Sequence, residues 1–267
     1  MSGQKLRTSV ADGVLTITLD DPPANTYSYE MMQELDAAIL AARMDAAVHV
    51  IVITGAGEKF FCAGANIGML KDADPTFKYY FCLHANETLN RLEQTPKLVI
   101  AALNGHTVGG GLEVAMAADI RIARQGAGKI GMPEVALGVL PGTGGTQRFA
   151  RLVGKARAIE LMAAGSLFSF EDAHAMGLVN HVWGDAELSG RAFAEAVHDY
   201  ARQFTPPNKA AKAVGHIKRA VQSGLESGFA EGLALERELQ QRLFESDDAK
   251  EGLKANLEKR KPNFSGR

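Results

Sequence analysis

Cysteine is scarce in this chain, with two residues, Cys62 and Cys82, among 267. Two thiols over such a length cannot make a disulfide framework, and a reducing, cytoplasmic setting is expected. No CxxC pair or Cys/His cluster occurs, and the seven histidines are scattered without ligand spacing, so neither a metal nor a resident cofactor is expected. Excess charge of either sign is also lacking. Lys and Arg number 29 against 31 Asp and Glu, a net of −2. No global basic field draws the chain to nucleic acid or an anionic membrane, although a small anionic ligand would need only a local basic site. No apolar run reaches the ~20 residues of a membrane-spanning helix. The stretch Met1 to Thr8 is polar and has no signal-like apolar segment, which favours a soluble protein. The GxSxG elbow of serine hydrolases is absent, as are the Walker A Lys-Ser/Thr and the spacing of a dinucleotide fingerprint.

What is present is apolar content of 46%, enough for a sizeable core, and 28 glycines, which imply many tight backbone turns. The first half alternates strand and helix patterns. Gly13 to Asp20, Val48 to Thr54, Leu98 to Leu103 and Asp119 to Arg124 read as strands, and Ser28 to Arg43, Pro75 to Leu92 and Leu112 to Ala118 as helices. After about residue 150 helical spacing dominates: Lys155 to Ala164, Ser169 to Met176, Leu188 to Phe204, Asn208 to Ser223 and Gly228 to Leu243. A short strand, Leu178 to Trp183, interrupts them. Pro206-Pro207 reads as a hinge. The fold class is α/β with a helical C-terminal part, divided as a core over 1–204 and a helical region over 205–267. The charged tail Asp247 to Pro262 reads equally as a solvated helix face, or as a subunit contact or anion site.

Three glycine segments lie where apolar strands stop. In Phe61-Cys62-Ala63-Gly64-Ala65-Asn66 the small side chains let a ligand approach the backbone, where the Ala65 N–H could meet an oxygen; the same residues would also make an ordinary packed turn. Gly109-Gly110-Gly111-Leu112-Glu113 opens a helix whose free N–H groups favour a negative oxygen. Glu113 there could merely complement the helix dipole, but the apolar run Val114 to Ala118 puts it in a dry setting. Buried carboxyls are candidate acids and bases. Glu134, in Met132-Pro133-Glu134, is the sole charge between Ile130 and Thr146; it is either a loop carboxylate on the surface or a second acid. Two acids beside two glycine turns suit proton transfer next to a polarised carbonyl.

At these residues the chain resembles the crotonase (enoyl-CoA hydratase/isomerase) superfamily, from about Thr16 to Phe264. The resemblance rests on TGAGEKFFCAGANI, NGHTVGGGLEVAMAADIRIA, GMPEVALGVLPGTGGTQR and LEKRKPNF, in that order. It implies a spiral of ββα turns followed by a helical trimerisation region, in trimers or hexamers. It implies an oxyanion hole from the N–H groups of Ala65 and Gly110, and a catalytic pair, Glu113 and Glu134. An acyl-CoA thioester would be held by Ala24, Ala63, Gly64, Asn66, Ile67, Gly68 and Gly142, with Lys259 reaching a CoA phosphate, its own subunit's or a neighbour's. Met69, Leu70, Tyr79, Tyr80 and Phe81 would contribute to the acyl side. Coenzyme A would enter as part of the substrate. Where the family often has Asp after Ala-Gly-Ala, this chain has Asn66, which keeps a helix-capping oxygen and loses a charge. The activity implied is hydration of a trans-2-enoyl-CoA. The alternatives are a double-bond isomerase, a hydratase of branched or aromatic enoyl-CoA, and a non-catalytic RNA-binding relative, against which the two glutamates and the near-neutral charge argue.

Overall fold

The computed structural model describes residues 4–267. Its strands are β1 Leu6–Ala11, β2 Val14–Leu19, β3 Val50–Gly55, β4 Phe60–Cys62, β5 Leu98–Leu103, β6 His106–Val108, β7 Ile120–Arg124, β8 Ile130–Gly131, β9 Leu167–Phe168 and β10 His181–Trp183. The helices are α1 Tyr29–Met44, α2 Ile67–Lys71, α3 Pro75–Gln94, α4 Gly110–Met116, α5 Gly145–Val153, α6 Lys155–Ala163, α7 Phe170–Ala175, α8 Asp185–Leu188, α9 Phe193–Arg202, α10 Ala211–Leu225, α11 Phe229–Phe244 and α12 Asp247–Leu257.

Six strands form one sheet in the order β1-β2-β3-β5-β7-β10, and four form a second in the order β4-β6-β8-β9. Successive turns of chain feed both. β3, β5 and β7 enter the large sheet, while β4, β6 and β8, which follow them within a few residues, enter the small one in parallel. Helices follow each pair, which makes the expected spiral of ββα turns.

The central strands of the large sheet are buried on both faces, and their β-branched runs supply both. Ile51 and Ile53 of β3 face a core that includes Leu35 and Ile39 of α1 and Leu89 and Leu92 of α3. Val50 and Val52 face the opposite layer, with Phe193, Val197 and Ala201 of α9. Such double burial explains why these strands read as continuous apolar runs rather than alternations.

The differences from expectation have local causes. β1 carries almost no apolar signal because Arg7 to Ala11 are exposed; it is held by its antiparallel register with β2, across a turn in which Asp12 and Gly13 have φ of 52° and 78°. Leu188 to Phe204 reads as one helix but is two, α8 and α9. Ser189 and Gly190 between them adopt φ of 51° and 78°, and the left-handed backbone ends the helix. The charged tail is helical from Asp247, with Ser246 capping the Ala249 N–H. Helix α10 is tied to the core by Lys218, whose Nζ lies 2.9 Å from Asp119 Oδ2 and donates to the carbonyls of Leu92 and Lys97.

Candidate active site

The small sheet brings the predicted segments together. β6 pairs with β8 in the register Val108↔Gly131, and the Gly109 N–H then donates to Gly131 O at 2.9 Å. That bond fixes the start of α4, which carries Glu113, beside the start of the Met132-Pro133-Glu134 loop. Gly109 has φ 57° and ψ −128°, a conformation open to glycine, and a Cβ there would come within 2.9 Å of Glu134 Oε1. The Glu134 carboxyl therefore lies directly over the glycine that opens the Glu113 helix.

The Ala65 segment is held from the other side. A short parallel ladder joins residues 24–27 to 63–66: Ala63 N–H donates to Ala24 O, Tyr27 N–H to Gly64 O, and Asn66 N–H to Tyr27 O, at 2.9 to 3.1 Å. Gly64, with φ 88°, packs so closely that a Cβ would meet Gly110 N at 3.0 Å. The backbones of Ala65 and Gly110 are thus neighbours. Among the described residues, neither their N–H groups nor that of Gly142 has an acceptor. Asn66 caps α2, accepting from the Met69 N–H at 3.0 Å, so the capping expected of an Asn survives. Ile67 and Gly68 are exposed on the first turn of α2.

The two glutamates sit in different settings. Glu113 is 2% exposed, on the first turn of α4. Its Oε1 accepts from the N–H groups of Thr143 and Gly145, at 2.8 and 2.7 Å, and its Oε2 accepts from the Thr143 hydroxyl. Glu134 begins a 3-10 turn, Glu134–Leu137, and is half-buried. Among the described residues its Oε2 is buried without a hydrogen-bond partner. Burial is the main cause that pushes its carboxyl up to about 7, the Glu113 charge adds to it, and Lys78 opposes it. A carboxyl so placed carries and releases a proton near neutrality. Cys62, just before the loop, is no competing nucleophile: burial pushes its thiol up to about 12.

The remaining expected residues divide. Gly142 closes on α3, where a Cβ would meet Cys82 Sγ at 3.0 Å. Phe81 turns into the core beside Tyr27 and Phe77, and Met69 and Leu70 pack partly against that core, whereas Tyr79 and Tyr80 stand mostly in solvent. Lys259 lies past the end of α12 with φ 53°, and no hydrogen bond or ion pair among the described residues links it to the glutamates. A cavity of about 770 Å³ lies elsewhere, between α10 and the core, and contains neither glutamate. Three residues escaped sequence reading. Gly142 is expected at the ligand, but its neighbours Thr143 and Gly145 in the same turn are not singled out, yet their N–H groups hold Glu113. Tyr27 carries no motif signal; its hydroxyl lies 3.2 Å from Thr143 Oγ1.

The sequence pattern described as Enoyl-CoA hydratase/isomerase matches residues 9–267. A relative from Bacillus subtilis named probable enoyl-CoA hydratase is 38% identical over 265 residues, covering 95% of each chain. The short-chain-enoyl-CoA hydratase of Clostridium acetobutylicum is 37% identical over 249 residues, covering 93% of this chain and 92% of its own. Among solved structures, an enoyl-CoA hydratase from Geobacillus kaustophilus superposes with a TM-score of 0.94 at 45% identity, covering 100% of this chain and 98% of that one.

Proposed function

Because the chain belongs to the enoyl-CoA hydratase/isomerase family, we propose that it adds water across the 2,3 double bond of a trans-2-enoyl-CoA, giving the 3-hydroxyacyl-CoA. The observation that carries this reading is the meeting of Glu113 and Glu134, from separate segments, beside two backbone N–H groups without acceptors. In the proposed mechanism the N–H groups of Ala65 and Gly110 donate to the thioester oxygen as negative charge builds there. Glu113 takes a proton from the water that attacks C3. Glu134 enters protonated and delivers its proton to C2, and the two carboxyls return to their starting states by exchange with water. The CoA arm lies along Ala24, Ala63, Gly64 and Asn66 to Gly68, and the free N–H of Gly142 is available to the water. The apolar residues Ile217, Val221 and Leu225 of α10 are exposed at 63%, 57% and 81%, which supports a contact between copies in a trimer or hexamer through the region beyond residue 205. Lys259 of a neighbouring copy would then reach the CoA phosphates.

Hydration of crotonyl-CoA, followed by loss of the conjugated thioester absorbance, tests the reading. Glu113→Gln and Glu134→Gln should each lose about a hundredfold or more in rate, the scale of general acid–base catalysis. Near-normal hydration by either variant refutes its assignment. A 3-enoyl-CoA run in parallel distinguishes an isomerase, and a panel of short, long, branched and aromatic enoyl-CoAs finds the acyl group.

A further inference from the structure

The hydroxyls of Tyr27 and Thr143 form a chain that ends on Glu113. Thr143 Oγ1 donates to Glu113 Oε2. A threonine hydroxyl has one proton, so once that proton points at Glu113 the 3.2 Å contact with Tyr27 must be donated by the phenol. Burial, then the nearby Glu113 charge, raise the Tyr27 phenol well above its ordinary value, so it keeps the proton it donates. All three side chains are buried, with Tyr27, Thr143 and Glu113 exposed by 3%, 2% and 2%, so bulk water does not compete for these bonds.

The same phenol reaches the other half of the site. A Cβ on Gly110 would lie 2.3 Å from the Tyr27 oxygen, which puts the ring directly against the backbone of that proposed oxyanion donor. The Tyr27 backbone also exchanges hydrogen bonds with Gly64 and Asn66, on either side of Ala65. One residue therefore touches both proposed N–H donors' segments and, through Thr143, the proposed base.

We propose that Tyr27 and Thr143 are positioning residues for hydration, a hydroxyl pair that holds Glu113 Oε2 in register with the carbonyl site. The proposal rests on Glu113 acting in hydration as stated above. The two backbone donors fix Oε1, and without the Thr143 hydroxyl the carboxylate would be free to swing about that oxygen. A misplacement of about 1 Å is enough to cost on the order of a hundredfold in rate.

The test is kcat and KM for crotonyl-CoA in the wild type, Thr143→Val, Thr143→Ser, Tyr27→Phe and the double variant Tyr27→Phe/Thr143→Val, each with a thermal melt. Thr143→Val removes the hydroxyl while keeping shape and backbone N–H, and should lower kcat by roughly 10- to 100-fold with KM within about threefold. Thr143→Ser should recover to within about threefold of wild type. Tyr27→Phe should lose roughly 3- to 10-fold, and the double variant should match Thr143→Val, because Tyr27 acts through Thr143. The proposal is overturned if Thr143→Val keeps kcat within about twofold, if serine fails to rescue a folded protein, or if the two defects multiply. Crystal structures of ligand-free wild type and Thr143→Val give a readout independent of turnover: the Glu113 carboxylate should be rotated in the variant, and an unchanged carboxylate overturns the proposal. If the wild type hydrates no enoyl-CoA, the functional reading falls, and these structures alone decide the positioning role.

Discussion

The proton on Glu134 can be followed through the pH dependence of turnover. A carboxyl with the ordinary value of 4.5 would keep its proton in about one molecule in 300 at pH 7, whereas one raised to about 7 keeps it in roughly half. Burial thus multiplies the protonated fraction of this carboxyl by about a hundredfold at neutrality. If Glu134 is the proton donor, kcat/KM for crotonyl-CoA should fall through one ionisation near pH 7 and drop about tenfold per unit above pH 8. Lys78 pulls the Glu134 value down by its charge. Removing that charge in Lys78→Met should move the falling limb to higher pH, by a fraction of a unit, since partly exposed charge pairs are worth ~0.2–1 kcal/mol against about 1.4 kcal/mol per unit. The linkage to stability has a definite sign. The folded chain binds the Glu134 proton more tightly than the unfolded chain does, so this group's contribution is fully present below pH 4.5. It is lost as pH rises from there through about 7, and urea midpoints of Glu134→Gln should lack that decline. A rate profile flat to pH 9, or a limb that moves to lower pH in Lys78→Met, refutes the assignment of Glu134 as acid.

Three other outcomes are expected. Gly110→Ala sets a Cβ 2.3 Å from the Tyr27 oxygen; it should lower stability by ~1–3 kcal/mol through overpacking and cut hydration by on the order of a hundredfold as the N–H donor shifts, read by melts and initial rates. Lys218→Ala leaves the partly buried Asp119 without the cation it touches while the Val99 N–H still donates to it, and denaturant titration should show a loss of about 1–3 kcal/mol. Asn66→Ala removes the cap of the short helix α2, so KM for crotonyl-CoA should rise severalfold with kcat little changed, while Asn66→Asp should keep both near wild type.

The order of strands and helices was legible in the chain because its β-branched runs and amphipathic repeats are strong local signals. β3, β5 and β7 stand within two residues of expectation, and the helix expected over Ser28 to Arg43 is α1, Tyr29–Met44, with Ser28 as its cap. The strands that build the site are of another kind. β4, β6 and β8 have two or three residues each, too few for any periodicity, and are held by pairing with one another across the turns of the spiral.

The two glutamates show the same division. Their residue type, their apolar flanks and their place after glycines or a proline were all readable along the chain, and so was the small-residue run at Ala63 to Ala65. Which groups they face was not, because those partners are distant in sequence. Thr143 and Gly145 meet Glu113 from 30 and 32 residues away, and Tyr27 joins Thr143 across 116. Burial, which separates Glu134 at about 7 from an ordinary carboxyl, likewise arises when the turns of the spiral close over it. Local chemistry named the two carboxyls, and packing between remote segments gave Glu113 its hydrogen-bond partners and Glu134 its tighter hold on a proton.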